Sequence, residues 1–223
     1  MSLKKLLFVT VVFSVSMQSY AQRNYNDYNR IGITGGLNLF DISTSDLTTD
    51  SGSGIYAGFT TRGAFYNNFD LIYGIGFNST EVGVLGRNLT DPTSTFAEQY
   101  IDYRVQSAQI TLLASCNIIR HHLSIEAGPI LNVSGKLKLK SDSFEDHILD
   151  GYTTLRAKDI QDITKVNFHL AGGITAGLEQ FRVSAQYQYG VTNTLNKLNE
   201  AQLENTDFEG HTSLFIFSAI FYF

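Results

Sequence analysis

The side chains with the plainest chemical potential lie close together near the middle of the chain, where His147 stands beside Ser143, Asp146 and Asp150. A histidine near a hydroxyl and two carboxylates supplies the residue types for base-activated hydrolysis or acyl transfer. Nothing in their spacing fixes their mutual geometry. His211 is a second candidate base, and the adjacent His121 and His122 suit a solvated pair in a turn better than a metal site. The single Cys116 excludes an internal disulfide. Gly74-x-Gly76 lacks the third glycine of a dinucleotide fingerprint, and glycine in a crowded strand has the simpler role of relieving contact. Asn78, Asn88 and Asn132 open glycosylation triplets that are given no role, and no calcium-loop spacing is present. The sequence therefore implies no cofactor, no metal and no catalytic residue that can be assigned.

Two further sets carry charge. Arg62, Asp70, Glu126 and Arg182 are two bases and two acids scattered over half the chain, and Lys136, Lys138, Lys140 and Lys165 form a basic group. Whether either set converges depends on the elements that hold it.

Those elements read as strands. From Leu123 through Ile125, Ala127, Pro129, Leu131, Val133, Gly135 and Leu137 to Leu139, apolar residues alternate with Ser124, Glu126, Gly128, Ile130, Asn132, Ser134, Lys136 and Lys138. Period two means a strand with two different faces. The pattern repeats at 166–178 and 181–191, and further strands are placed near 30–40, 54–66, 68–79, 102–117 and 211–223. Their apolar phases collect 49 positions without one Asp, Glu, Lys or Arg, where the chain's 17% charged content would give about eight. Exposure to lipid explains such complete absence, since a Lys or Arg at the midplane of a membrane barrel costs roughly 2–4 kcal/mol.

The connections agree. Short turns around 67–68, 117–122 and 179–180 alternate with long connections near 41–53, 80–101, 141–162 and 193–210, as in a barrel with turns on one side of a membrane and loops on the other. The long connections hold 16 Asp plus Glu against four Lys plus Arg. Lys4 and Lys5, the apolar run Leu6 to Phe13 and the Ser19-Tyr20-Ala21 site read as a signal peptide at 1–21, leaving a barrel domain at 22–223. No later segment approaches the about 18 apolar residues of a helical span. The formal charge is −5, and losing Lys4 and Lys5 makes it −7, which argues against nucleic acid as a partner. The composition, with 16 Phe, 12 Tyr and no Trp, suits aromatic-rich β-faces.

The expected fold is an all-β, eight-stranded antiparallel up-and-down transmembrane barrel, monomeric, with both termini on the periplasmic side of a gram-negative outer membrane. An eight-stranded barrel is just wide enough to be filled by side chains. Arg62, Asp70, Glu126 and Arg182 then face inward near the short turns as a mutually neutralising plug. Lys136, Lys138, Lys140 and Lys165 face inward in the opposite half as a basic cluster that acidic loop residues neutralise or that holds an anion or lipid phosphate. His169 faces inward as a hydrogen-bonded residue. A secreted lipocalin-like barrel would turn its apolar face inside and usually has a Gly-x-Trp start and a disulfide, neither of which is present.

The stretches IGITGGLNL at 31–39, YAGFTTRGAFYNNFDLIYGIGF at 56–77, AQITLLASCNI at 108–118, LSIEAGPILNV at 123–133 and FIFSAIFYF at 215–223 resemble the PorT-like small outer-membrane β-barrel family, and in architecture the OmpA/OmpX type. Gln109-Ile110-Thr111 stands where that family carries Glu-Ile-Pro. The aromatic end at Phe223 looks like the signal read by the outer-membrane assembly machinery. The resemblance implies outer-membrane lipid and lipopolysaccharide as surroundings and secretion-system components as partners. The expected function is that of a closed structural or interaction protein acting through long acidic loops, with a narrow porin-like channel as the alternative and a hydrolase or acyltransferase as the third reading.

Overall fold

The computed structural model describes residues 29–66, 68–88 and 98–223. The expected signal peptide at 1–21 lies outside the described residues. Eight long strands carry the fold: β1 (Asn29–Thr44), β2 (Thr49–Tyr66), β3 (Phe69–Arg87), β4 (Glu98–Ile119), β5 (Leu123–Ser134), β6 (Val166–Gly177), β7 (Phe181–Gly190) and β8 (Gly210–Tyr222). Each pairs antiparallel with the next, and β8 pairs back onto β1 from Gly32↔Tyr222 to Thr44↔Gly210. The sheet is therefore a closed eight-stranded up-and-down barrel. Closure leaves no strand edge whose N–H and C=O groups would face hydrocarbon unpaired.

Alternation sorts the side chains by face. Leu37, Phe59, Ile75, Phe77, Ile110, Phe168, Leu170 and Phe217 are exposed on the outside, while Arg62, Asp70, Asn78, Gln109, Glu126, Asn167, His169 and Arg182 are buried inside. This is the reverse of a water-soluble barrel. On β3 the outward residues Phe69, Leu71, Tyr73, Ile75 and Phe77 cover about 27 Å of strand, or about 21 Å of height at a tilt of roughly 40°. That approaches the roughly 25 Å apolar band of outer-membrane barrels.

Strands β1–β4 continue beyond the band, and there the pattern inverts. Outward positions become Ser79, Glu81, Asp102, Arg104 and Gln106, and inward positions become Val82, Val84, Ile101, Tyr103 and Val105. Once the outside is water, burial favours apolar groups within. The segments 135–165 and 191–209 fold onto this wall and bury Leu137, Leu149, Leu155, Ile160, Leu195, Leu198 and Phe208 against it. They include three 3₁₀ turns, at Asp142–Phe144, Ala157–Ile160 and Asn196–Glu200. Two-residue strands, Lys138–Leu139 and Ile148–Leu149, pair with β4 and β3 where β5 and β2 have ended, so that these projecting strands are not left as open edges. The long connections thus form a cap with its own apolar core, and their acidic residues lie around it. The connection at 45–48 is shorter than the alternation implied, because β1–β4 run on into water with their faces exchanged.

Strand β5 departs from the sequence reading in a way that matters for the lysines. It ends at Ser134 rather than near 139. Ser107 faces Ser134, yet Tyr103 faces Leu139 and Arg104 faces Lys138. One extra residue on the 134–139 side works as a bulge, and a one-residue slip turns every later side chain to the other face. Leu137 is therefore buried and Lys138 exposed.

Candidate functional site

The turn end of the lumen is closed by charge. Asp70 on β3, Ser115 on β4 and Glu126 on β5 are successive cross-strand partners, so they lie in one row. Arg62 reaches across them from β2. Its Nη1 donates to Asp70 Oδ2 at 3.0 Å and to Ser115 Oγ at 2.9 Å. Its Nη2 donates to Glu126 Oε1 and to Ser124 Oγ, the latter at 3.4 Å. Asn117 Nδ2 donates to Asp70 at 2.9 Å and Ser124 Oγ to Glu126 at 3.1 Å. Arg182 on β7 enters through Ser124 Oγ at 3.2 Å and also donates to the carbonyls of His121 at 2.8 Å and Thr175 at 3.4 Å. The structure thus brings Arg62, Asp70 and Glu126 into direct ion pairs and joins Arg182 to them by way of a serine. Arg62 is 1% exposed and Arg182 0%, so both cations sit out of bulk water and depend on these partners. Ser115, Asn117 and Ser124 were not singled out from the sequence, although each sits on the inward phase beside a charged residue.

Toward the loop end the lumen holds a ladder of amides, with Asn38 Nδ2 donating to Asn78 Oδ1 and Asn78 Nδ2 to Gln109 Oε1, both at 3.1 Å. His169 lies between Gln188 Oε1 at 3.5 Å and Thr212 Oγ1 at 3.2 Å. The Gly74-x-Gly76 pair relieves crowding: a Cβ on Gly76 would meet Tyr56 Cε2 at 2.5 Å, so the missing side chain lets that ring lie across the lumen. Two interior cavities measure about 50 Å³, lined in part by Glu126, Gln186 and Thr111, and about 20 Å³, lined in part by His169 and Asn132. A cavity needs on the order of 10–15 Å³ of such space to hold one water. The smaller has room for one or two waters and the larger for a few.

The basic group is corrected. Lys136, Lys138 and Lys165 are exposed on the outer surface rather than turned into the lumen, and so is most of Lys140. The bulge after Ser134 reverses the phase of Lys136, Lys138 and Lys140, and Lys165 precedes β6. Lys140 Nζ lies 3.0 Å from Glu81 and 3.4 Å from Asp102, and Lys136 Nζ lies 3.7 Å from Asp162. The mutual hydrogen bonds with Glu81 and Asp102 raise the Lys140 pKa above its ordinary value.

The residues with hydrolytic types are not brought together. Ser143 Oγ lies 2.7 Å from Ser141 Oγ, Asp146 takes Arg156 and Lys158 at 2.9 Å each, and Asp150 accepts from Thr48 Oγ1 at 3.1 Å. The His147 ring packs edge-on to Phe144 at 5.1 Å, and burial lowers its pKa. Its Nε2 lies 3.4 Å from Gln99 Nε2. His211 Nδ1 is 2.9 Å from the Gly190 carbonyl, and its ring stacks on Tyr189. His122 Nδ1 is 2.8 Å from the Gly177 carbonyl. Among the described residues no group of three or more His, Cys, Asp or Glu side chains is placed to hold a metal ion.

One carboxylate in the cap was not foreseen. Glu204 accepts from the backbone N–H groups of Thr153, Thr154 and Leu155 and from both threonine hydroxyls, tying segment 191–209 to segment 135–165. These donors favour the charged form and hold its pKa down to about 2, against an ordinary 4.5. A depressed carboxylate contributes stability that is complete above its unfolded pKa and lost as pH falls through its folded pKa. Protease cleavage of the cap should therefore change little from pH 7 to about 4.5 and rise as pH falls toward 2, whereas Glu204→Gln should raise cleavage already at neutral pH. Equal cleavage of the two proteins at pH 7 would count against this latch.

A closed antiparallel ring with hydrocarbon-compatible residues outside and a buried ionic plug inside defines a membrane-spanning β-barrel of the outer-membrane class. The profile of one family covers residues 20–196, and the chain belongs to it: the outer membrane protein beta-barrel domain family. Similar solved structures include Neisserial surface protein A, NspA, at 10% identity and TM-score 0.49, with 86% of this chain and 97% of that one covered. Ail, the attachment invasion locus protein of Yersinia pestis, has 14% identity and TM-score 0.46 over 87% and 99%. The outer membrane protein OprG from Pseudomonas aeruginosa has 13% identity and TM-score 0.46 over 87% and 96%. No curated protein matches the chain.

Proposed function

We propose that this outer-membrane barrel is closed to solutes and acts as a structural and interaction protein through the surface of its loop-end cap, in a PorT-like role accessory to protein secretion. The observation that carries the reading is that the lumen is filled twice, by the Arg62–Asp70–Glu126 network at the turn end and by the apolar cap core at the loop end. Between them, among the described residues, lie interior cavities of about 50 Å³ and about 20 Å³, room for a few waters at most. What remains available to a partner is the cap, rimmed by exposed acids such as Asp142, Glu145, Asp207 and Glu209. In this reading the cap faces outward from a gram-negative cell and the short turns and both termini face the periplasm. The protein stands as a monomer among lipid and lipopolysaccharide, and its β8, ending in aromatic residues, is what the assembly machinery reads.

Planar-bilayer recording of the refolded full chain tests closure. The expected result is no steady unitary conductance. A reproducible conductance from the wild-type protein would replace this reading with the narrow-channel alternative.

A further inference from the structure

Next to the charge network the lumen changes character. The row that carries Asp70, Ser115 and Glu126 continues as Glu126↔Gly173↔Gln186, so the barrel turns a glycine inward between a carboxylate and an amide. At this level the inward residues of five other strands are small and hydroxylic: Thr34 on β1, Thr60 on β2, Thr111 on β4, Ser184 on β7 and Ser218 on β8. Short side chains on so many strands leave a space between them. It is the cavity of about 50 Å³, whose remaining wall includes Ile72 and Leu113.

Two residues of this wall carry oxygens that the protein leaves unmatched. Thr34 is 9% exposed, and its Oγ1 has no hydrogen-bond partner among the described residues. Glu126 is 5% exposed and accepts from Arg62 and Ser124, both times on Oε1. Its Oε2 is left without a donor among the described residues. A buried polar group without a partner is costly, and a charged one more so. The backbone N–H groups around it are spent in the interstrand ladders, so a donor for Oε2 has to come from within the cavity.

We infer that this cavity is a sealed water-binding site, in which a cluster of a few waters bridges Glu126 Oε2 to the Thr34 hydroxyl. The volume suits a few waters, and the hydroxyls around it supply the two to four polar partners that a buried water needs. A bound cation fits less well: Arg62 and Arg182 already balance Asp70 and Glu126, so a further charge would lie uncompensated out of bulk water. Water is neutral, small, and both donor and acceptor. Thr34 is then a positioning residue for the plug. Arg62 fixes one oxygen of Glu126 directly, and Thr34 fixes the other through water. The turn end of the site is shut by the charge network, and on its other side the Tyr56 ring lies across the lumen below the amides of Asn78 and Gln109. The site depends on the packing of the lumen and not on the role proposed for the cap.

X-ray radiolysis footprinting of the folded full chain in micelles reads the site, because a pulse splits bound water into hydroxyl radicals that oxidise the side chains beside it. The protein is mixed briefly with heavy-oxygen water before the pulse, and mass spectrometry locates and weighs the added oxygen. The expected result is oxidation of Leu113 with ordinary oxygen although it is only 2% exposed, against none at Leu155 of the cap core, at 1%. Thr34→Val, which keeps the shape but not the hydroxyl, should lower the Leu113 signal about fivefold, the weight of one hydrogen bond. Thr34→Ser should restore it. Ser184→Val, which fills the cavity from β7, should abolish it. Each variant is first shown to be folded by its shifted gel migration before boiling. The proposal is overturned if Leu113 is as silent as Leu155, which means a dry cavity, or if it takes up heavy oxygen, which means a site open to bulk water. It is also overturned if Thr34→Val and Ser184→Val both label as the wild type does. Closure to solutes is read separately by conductance, so a dry cavity in a non-conducting barrel removes the water site alone.

Discussion

Replacing Arg62 by alanine should destabilise the folded barrel by about 3–5 kcal/mol, the cost of stranding buried charges whose partner has been removed. Arg62 is the only one of the four turn-end charges that touches both acids, through Asp70 on β3 and Glu126 on β5. Without it, Asp70 keeps only Asn117 among the donors described above, and Glu126 keeps Ser124. Arg182 lies one serine away and is held by the His121 and Thr175 carbonyls, so it is poorly placed to substitute. Glu126→Ala should fall in the same range, because Arg62 would then face Asp70 alone. Converting Arg62, Asp70 and Glu126 together to Met, Asn and Leu should cost much less than either single change. Breaking a buried pair leaves an uncompensated charge, whereas deleting all of its members removes the desolvation penalty with them. The readout is the urea midpoint for loss of the heat-modifiable folded band in micelles. A single Arg62→Ala variant with an unchanged midpoint would show that the network fills space without being required for assembly.

The legibility of this barrel in its sequence follows the solvent. Wherever strands cross hydrocarbon, the physical demand on the outward face is severe, and the apolar phases of 31–39, 55–65, 69–77 and 181–191 could be read without a structure. Their inward neighbours, with those of the 123–139 alternation, placed Arg62, Asp70, Glu126 and Arg182 on one side of the sheet at one height. Above the band the same strands obey the opposite rule. Val82, Val84, Ile101 and Tyr103 point inward there, on the phase that carries polar residues lower down. A search for one continuous alternation must end where the faces exchange, so β1–β4 looked shorter than they are. The lysines were misplaced for a related reason. A bulge after Ser134 has no sequence mark beyond Gly135, and an unbroken alternation through Leu139 hid the slip. Leu149, Leu155, Ile160, Leu195 and Phe208 were visible as apolar residues in acidic loops, but neither strand nor helix period connects them. Only the tertiary wall of β1–β4 gathers them into a core.

That difference in origin makes the cap separable from the barrel, and Phe208→Ala should reveal it. Phe208 is fully buried, its ring lies 6.1 Å from that of Tyr152, and its backbone is clasped by Asn199 and Asn193. Truncating a buried Phe typically costs about 3–5 kcal/mol. In the membrane band that figure would be set against a ring of interstrand hydrogen bonds with no water to replace them. In the cap it is set against short 3₁₀ turns and a modest apolar core whose segments can hydrogen-bond to water once released. The expected outcome is local opening: limited proteolysis cuts within 141–162 and 199–207 at least tenfold faster, on the order of what 1.4 kcal/mol of local stability controls, while the heat-modifiable barrel band persists. Leu155→Ala, in the same core, should do likewise. The opened protein should still fail to conduct, because the charge network blocks the other end of the lumen independently. Conductance should require the cap variant combined with Arg62→Ala, if that barrel still assembles. Loss of the folded band in Phe208→Ala alone would mean that cap and barrel are one cooperative unit, and unchanged cleavage would mean that Phe208 holds nothing in place.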